Sequence, residues 1–136
     1  MTSRVFLDAN VLFSAAYRER AGLLELWNLP RVALITSGYA AEEAKRNLES
    51  EDARRRLGQL LAVVEIVPEA PRITVPEGVR LAEKDRPILS AAIAAGATHL
   101  LTGDVSDFGS YFGRRFAGVL IEAPAAFLRS GARKKP

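Results

Sequence analysis

Four stretches of this 136-residue chain place a carboxylate at the edge of an apolar run: VFLDANVL (5–12), TSGYAAEEAKRNL (36–48), KDRPILSAAIAAG (84–96) and THLLTGDVSDFG (98–109). Asp8 and Asp104 each close a run that reads as a buried parallel strand, and the C-terminal edge of an open α/β sheet is where such folds keep their sites. Carboxylates gathered at one point repel each other and are costly to desolvate unless a proton or a cation neutralises them. Acidic groups drawn from separate segments therefore point to a hard divalent cation, Mg2+ or Mn2+, held by oxygen ligands. Such a cation reverses the field a phosphodiester meets and acidifies water, so metal-dependent phosphodiester hydrolysis is the leading chemistry.

Each position also has a plain structural reading. Asp8 and Asp104 could cap the helices that follow through backbone N–H groups, and finding both, in opposite halves of the chain, favours a shared site. Glu42 and Glu43 are adjacent on a helix and point about 100° apart, with Glu43 on the side of Ala40 and Ala44. Asp85 precedes Arg86 and Pro87 and reads equally as a helix cap. Asp107 is a ligand, a ligand orienter or a loop cap. Asn10, Thr102 and Ser106 are neutral groups placed to orient carboxylates or touch phosphate. A phosphorylated-aspartate phosphatase expects a second acid where Asn10 stands, and a receiver-type domain expects an acidic pair after the first strand. Neither fits. His99 lies in an apolar strand and is structural, while Trp27, Phe108, Phe112 and Phe116 read as packing anchors.

Positioning these groups requires strands that alternate with helices. Strands are expected at 4–8, 32–36, 63–67, 98–102 and 118–124. Helices are expected at about 10–18, across 21–30 up to Pro30, at 39–48, and from a Ser50 cap to about Leu61. Further helices fall over Val79–Glu83, from Asp85 to Gly96, and over PAAFLRS near the end. Residues 68–78, with three prolines, form an extended connection, and VSDFGSYFGRR a glycine-rich loop. Without hairpins, this order gives a single three-layer α/β/α domain around a mostly parallel sheet of about five strands. The domain occupies residues 1–130, and 131–136 form a basic tail.

Composition is that of a globular domain, 49% hydrophobic and 26% charged, and no apolar run reaches membrane-spanning length. With no secretory layout at the N-terminus, the expectation is a cytoplasmic protein without a membrane partner. The absence of cysteine excludes thiolate zinc sites, disulfides and cysteine nucleophiles. The net charge is +3, carried by arginine runs at 54–56 and 114–115 and by Arg133-Lys134-Lys135. These suit phosphate, or are simply solvated faces. The segments Leu23–Leu29 and Leu57–Val63 carry more leucine and valine than one helix face needs, which marks a homodimer interface unless the core consumes them.

In their joint order, Asp8, Glu43, Asp85 and Asp104 resemble the acidic set of the PIN-domain ribonucleases. DANVL resembles that family's opening motif, and TSGYAAEEA its Ser-to-Glu helix, with Glu43 six positions after Ser37. KDRPILSAAIAAGATHLLTGDVSDFG resembles its longest signature, an aspartate opening an alanine-rich helix followed by a strand ending in Thr-x-Asp. The resemblance implies an α/β/α fold and an acidic pocket holding one or two Mg2+ or Mn2+ ions. Asp8, Asp85, Asp104 and Asp107 are then metal ligands, and Glu43 completes the site or positions the attacking water. It also implies endonucleolytic cleavage of an RNA substrate, frequently by the toxin of a VapC-type toxin–antitoxin pair, with an antitoxin protein and a second copy as partners. The alternative is a catalytically silent PIN-like scaffold that binds RNA or a protein.

Overall fold

The computed structural model describes residues 2–71 and 75–129. Its centre is β1 (Ser3–Leu7), in which Val5, Phe6 and Leu7 are fully buried. A continuous run of large apolar residues such as this fits a strand covered on both faces. β1 pairs in parallel with β2 (Val32–Ser37) on one side and with β4 (His99–Leu101) on the other. β3 (Glu65–Val67) extends the β2 side, and β6 (Val119–Glu122) with β5 (Arg115–Phe116) extends the β4 side. The spatial order is β3-β2-β1-β4-β6-β5.

α1 (Ala9–Ala16) follows β1, while α2 (Gly38–Asn47) and α3 (Glu51–Leu61) lie between β2 and β3. α1 packs on both α2 and α3. Ser37 and Ser50 start the two later helices, their hydroxyls accepting from Ala40 N at 3.2 Å and Ala53 N at 3.0 Å. α4 (Arg86–Ala94) then carries the chain back across β2 to β4. With right-handed crossovers, this reversal sets α4 on the face opposite α1. α4 ends where Gly96 adopts φ +70°, the left-handed conformation that favours glycine after a helix. α5 (Val105–Phe108) and α6 (Pro124–Arg129) complete the chain's helices among the described residues. The core joins Phe6, Leu12, Ile35, Leu57, Ile88 and Phe127 into one cluster.

Several expectations are corrected. The sheet has six strands, and β5 and β6 form an antiparallel hairpin. Its two-residue turn sets Ala117 at φ 50° and Gly118 at φ 88°, the positive pair that matches strand twist in such turns. Alanine is not a residue that signals this conformation, which hid the hairpin. Val79–Glu83 is not helical: the Arg80 N–H donates to the Tyr111 hydroxyl at 2.8 Å, and so short a segment cannot offset helix nucleation by itself. Gly22–Asn28 winds as a 3₁₀ segment rather than an α-helix, with no side-chain cap at its start. The expected loop after Asp104 is instead α5, a 3₁₀ turn at Gly109–Tyr111 and β5.

The leucines expected to mark a dimer face are mostly used by the core. Leu26 and Leu57 are buried, and Leu23, Leu29, Leu60 and Leu61 pack partly buried against them; Val63 remains exposed. Trp27 anchors this packing, its indole donating to Leu60 O at 3.1 Å. The arginine triplet is partly structural as well: Arg56 donates to the carbonyls of Ala16 and Tyr17, tying α3 to the end of α1. His99 packs edge-on against Phe127, and burial lowers its pKa. The basic tail 131–136 lies outside the described residues, as do 72–74 of the proline-rich connection. Among the described residues no helix is long and apolar enough to cross a membrane.

Candidate functional site

β1 and β4 are neighbours, yet the chain leaves them in opposite directions across the sheet. A crevice opens at the carboxyl ends of strands at such a switch point. Asp8 stands one residue beyond Leu7, and Thr102 one beyond Leu101, its register partner. The Asp8 carboxylate, almost fully buried, accepts from its neighbour Ala9 N at 2.7 Å and from the Thr102 hydroxyl at 2.8 Å. Asn10 adds a third bond, its amide nitrogen lying 3.3 Å from Asp8 Oδ2 and 3.2 Å from Thr102 Oγ1, while its amide oxygen accepts from Gly103 N at 2.7 Å. Capping and facing the cleft are therefore not alternatives for Asp8; it does both. A side chain on Gly103 would press its Cβ to 3.4 Å from Asn10 Oδ1.

The same threonine aligns the opposite wall, accepting from Asp104 N at 3.1 Å. Asp104 caps α5: its Oδ1 accepts from Asp107 N at 3.0 Å and from the Ser106 hydroxyl at 3.1 Å. This cap brings Asp107 back toward Asp104, and one carboxylate oxygen from each of Asp85, Asp104 and Asp107 lies within 4.8 Å of the others. Asp85 precedes α4 but makes no side-chain cap bond, so its helix-cap reading fails. Its carboxylate is buried, and Oδ2 has no hydrogen-bond partner. Lys84, exposed at the rim, reaches Asp107 at 3.7 Å. Glu43, half-buried on α2, enters from the far side, whereas Glu42 is exposed and lines a different hollow. Asp8, Asn10, Glu43, Lys84, Asp85 and Asp104 line one cleft of about 460 Å3.

The electrostatics express the crowding. Burial raises the Asp8 pKa; its hydrogen bonds oppose that, and the charges of Glu43 and Asp104 add to it. Asp85 is pushed up to about 8, first by burial, then by side-chain hydrogen bonding with Asp107 and by the charges of Asp107, Asp8 and Asp104. Asp107 is lowered, chiefly by side-chain hydrogen bonding with Asp85 and further by Asp104 and Lys84. Asp85, Asp107 and Asp104, in that order, raise the pKa of Lys84. A buried carboxylate oxygen without a donor, beside two more carboxylates, is a poor resting place for negative charge. It is a fitting one for a divalent cation, which takes oxygen ligands and neutralises them together.

Asp8, Glu43, Asp85, Asp104 and Asp107 all lie at this cleft or in the close triad, though Asp8 and Glu43 line the cleft without joining the three closest carboxylates. Thr102 is fully buried, bonded to Asp8 and to the backbone of Asp104, and has no access to phosphate. Ser106 is exposed and bonds Asp104. Sequence reasoning passed over Lys84, Phe13 and Asn47, which also line the cleft. Lys84 is the immediate neighbour of Asp85; Phe13 lies three positions after Asn10, and Asn47 four after Glu43, spacings that keep each on its partner's helix face.

No curated protein matches the sequence. Among solved structures, the chain is similar to one in the VapBC2 structure from Rickettsia felis bound to a promoter DNA fragment. There the identity is 19% and the TM-score 0.63, covering 88% of this chain and 98% of that one. The VapBC-1 structure from nontypeable Haemophilus influenzae matches at 16% identity and TM-score 0.57, over 90% of this chain and 98% of the other. FitAcB from Neisseria gonorrhoeae matches at 17% identity and TM-score 0.56, over 89% and 98%. These likenesses concern the fold. Residues 4–106 match the family model described as the PIN domain, a stretch that holds both strands of the crevice together with Asp8, Glu43, Asp85 and Asp104 and ends one residue before Asp107, and the chain belongs to the PIN-domain family.

Proposed function

We propose that this protein is a divalent-metal-dependent endoribonuclease that hydrolyses RNA phosphodiester bonds in the crevice between β1 and β4. One observation carries the reading: Asp85, Asp104 and Asp107 converge within 4.8 Å beside Asp8 and Glu43, and the buried Asp85 oxygen has no partner. Asp8, Asp85, Asp104 and Asp107 are the residues that hold Mg2+ or Mn2+. When bound, the cation supplies a positive field for the phosphate and acidifies water. Asp8 is held in one orientation by Thr102 and Asn10, so its charge needs no rearrangement as substrate arrives. Glu43, a carboxylate on the opposite wall, accepts a hydrogen bond from the attacking water and directs it at phosphorus. Lys84 at the rim draws a phosphate oxygen toward the acidic floor. Catalytic roles fall to Asp8, Glu43, Asp85 and Asp104, and the supporting roles to Asn10, Thr102 and Ser106.

In this reading the protein is the toxin of a toxin–antitoxin pair, as its likeness in fold to chains of VapBC and FitAcB structures supports. An antitoxin protein and a second copy of the chain are its partners, and it acts in the cytoplasm. The test is a cleavage assay on structured RNAs, tRNAs among them, with Mg2+, Mn2+ or EDTA. Cleavage that needs the metal and disappears in a folded Asp8→Asn variant is expected. A folded wild-type protein that cuts no RNA with either metal overturns the reading.

A further inference from the structure

A second hollow, of about 560 Å3, adjoins the acidic cleft, and Phe13 and Asn47 line both. Two helix faces make the continuous groove. Asn10, Phe13 and Tyr17 recur at helical spacing along α1 and its C-cap, and Glu43 and Asn47 recur along α2, against which α1 packs. At 1.5 Å per residue, the path from Asn10 to Tyr17 runs about 10 Å outward from the carboxylates. The Phe13 and Tyr17 rings lie with centroids 5.5 Å apart and planes tilted 31°. Tyr17 is 61% exposed, an unusual expense of aromatic surface on a chain that buries its other large rings or packs them against the core. Its backbone is nonetheless fixed, because Arg56 clamps the carbonyls of Ala16 and Tyr17. Across the groove, Asn47 is exposed and its amide makes no side-chain hydrogen bond among the described residues.

Resting on the nuclease reading above, we infer that Phe13, Tyr17 and Asn47 form a subsite for an unpaired base of the RNA, flanking the nucleotide whose phosphate enters the cleft. Aromatic faces accept a base of any sequence provided it is unstacked, and a free amide can bond its edge. A base in a duplex has both faces covered by its neighbours and cannot use the ring pair. Glu49 on the groove's wall repels phosphate, so the base rather than the backbone enters. The exposed Arg18 and Arg20, just beyond Tyr17, meet the strand's charge outside it.

The test compares the full-length protein with Tyr17→Ala and Tyr17→Trp on a single-stranded oligoribonucleotide, intact or with one nucleotide at a time made abasic. Tyr17→Ala is expected to raise KM about tenfold, the loss of roughly one stacked base, with kcat within about twofold and Tyr17→Trp restoring KM. One abasic position next to the cleavage site should weaken the wild type by a similar factor and Tyr17→Ala by nothing further. An unchanged KM with an unchanged abasic profile sinks the subsite. So does a Tyr17→Ala protein that scatters light as a monomer where wild type is a dimer, since the rings then face a second copy. Fluorescence anisotropy of the same RNA with Ca2+ separates this inference from the nuclease reading. Wild type that binds more tightly than Tyr17→Ala but never cuts keeps the subsite and removes the nuclease. Wild type that cuts while both proteins bind alike removes the subsite only.

Discussion

Asp85→Asn should stabilise the metal-free protein by a margin that grows from about pH 4 and levels off above about pH 8. The Asp85 pKa is raised from 3.8 to about 8 in the folded state. Between those values the folded chain holds a proton that the unfolded chain has released. The stability tied to that proton is full below pH 3.8 and is lost as pH rises through about 8. Taken alone, a shift of that size corresponds to about 6 kcal/mol at 1.36 kcal/mol per unit. The opposing shift of Asp107 and water at the cleft mouth reduce this, and a net of about 2 kcal/mol is the working value. For a domain of this length that is about 6–8 °C in melting temperature. The substitution forfeits no cap, because Asp85 makes none.

The assay is calorimetry in EDTA across pH 4 to 9. The difference between variant and wild type should be near zero at pH 4 and reach its full value at pH 9, and taking it cancels the titrating groups that Asp85 does not touch. Adding Mg2+ or Mn2+ should then stabilise the wild type by binding the folded state, and the variant much less. A variant that melts below the wild type by a similar margin at both ends of the range would falsify the reasoning. The carboxylate would then be accepting a hydrogen bond the fold needs rather than enduring an uncompensated burial.

Asp104→Asn keeps an oxygen that can accept from Asp107 N, so its metal-free melting temperature should match or exceed the wild type while metal-induced stabilisation disappears. Asp104→Ala, without that cap, should lose about 1 kcal/mol in urea unfolding. Thr102→Val removes a donor to Asp8 and an acceptor for Asn10 and Asp104; it should cost about 1–3 kcal/mol and lower cleavage, with Thr102→Ser recovering both. Ala117→Asn relieves a positive φ that alanine tolerates poorly and should raise the unfolding free energy read in urea by about 0.5–1 kcal/mol. Light scattering at micromolar concentration should give twice 14.8 kDa for the proposed homodimer, and a monomer mass would remove that partner.

How much of this was legible depended on whether a residue's surroundings were local. Buried strands and serine caps were, since Val5-Phe6-Leu7 and Ser50 carry their signals within a few positions, and Gly96 marks the end of α4 where expected. The carboxylates were legible because acids at the ends of apolar runs need a reason. What escaped was set by distant partners. The path of residues 79–85 is governed by Tyr111, which takes the Arg80 N–H, and by Tyr39, whose hydroxyl donates to Lys84 O at 2.9 Å. No pattern within 79–85 announces either bond. The hairpin was hidden because its turn uses alanine at positive φ, a conformation imposed by strand pairing against local preference.

The site divides into a satisfied half and an unsatisfied half, and the division bears on how it would respond to a cation. Asp8 already accepts three hydrogen bonds, from Ala9, Thr102 and Asn10. A carboxylate has about four acceptor positions, so Asp8 has little capacity left, but its direction is fixed. Asp85 is the reverse: its Oδ2 is buried with no partner, and its pKa is raised to about 8, so it holds a proton at neutral pH. Beside it, Lys84 meets the Asp107 carboxylate at 3.7 Å; a cation held by Asp85 would have to displace its proton. Cation binding should therefore weaken as pH falls below about 8, since protons and metal compete for the same oxygens. Titration calorimetry in two buffers of different ionisation enthalpy reads the proton release directly. Release of about one proton per bound ion near pH 7 is expected, and release that is absent at pH 7 would place the cation elsewhere than on Asp85.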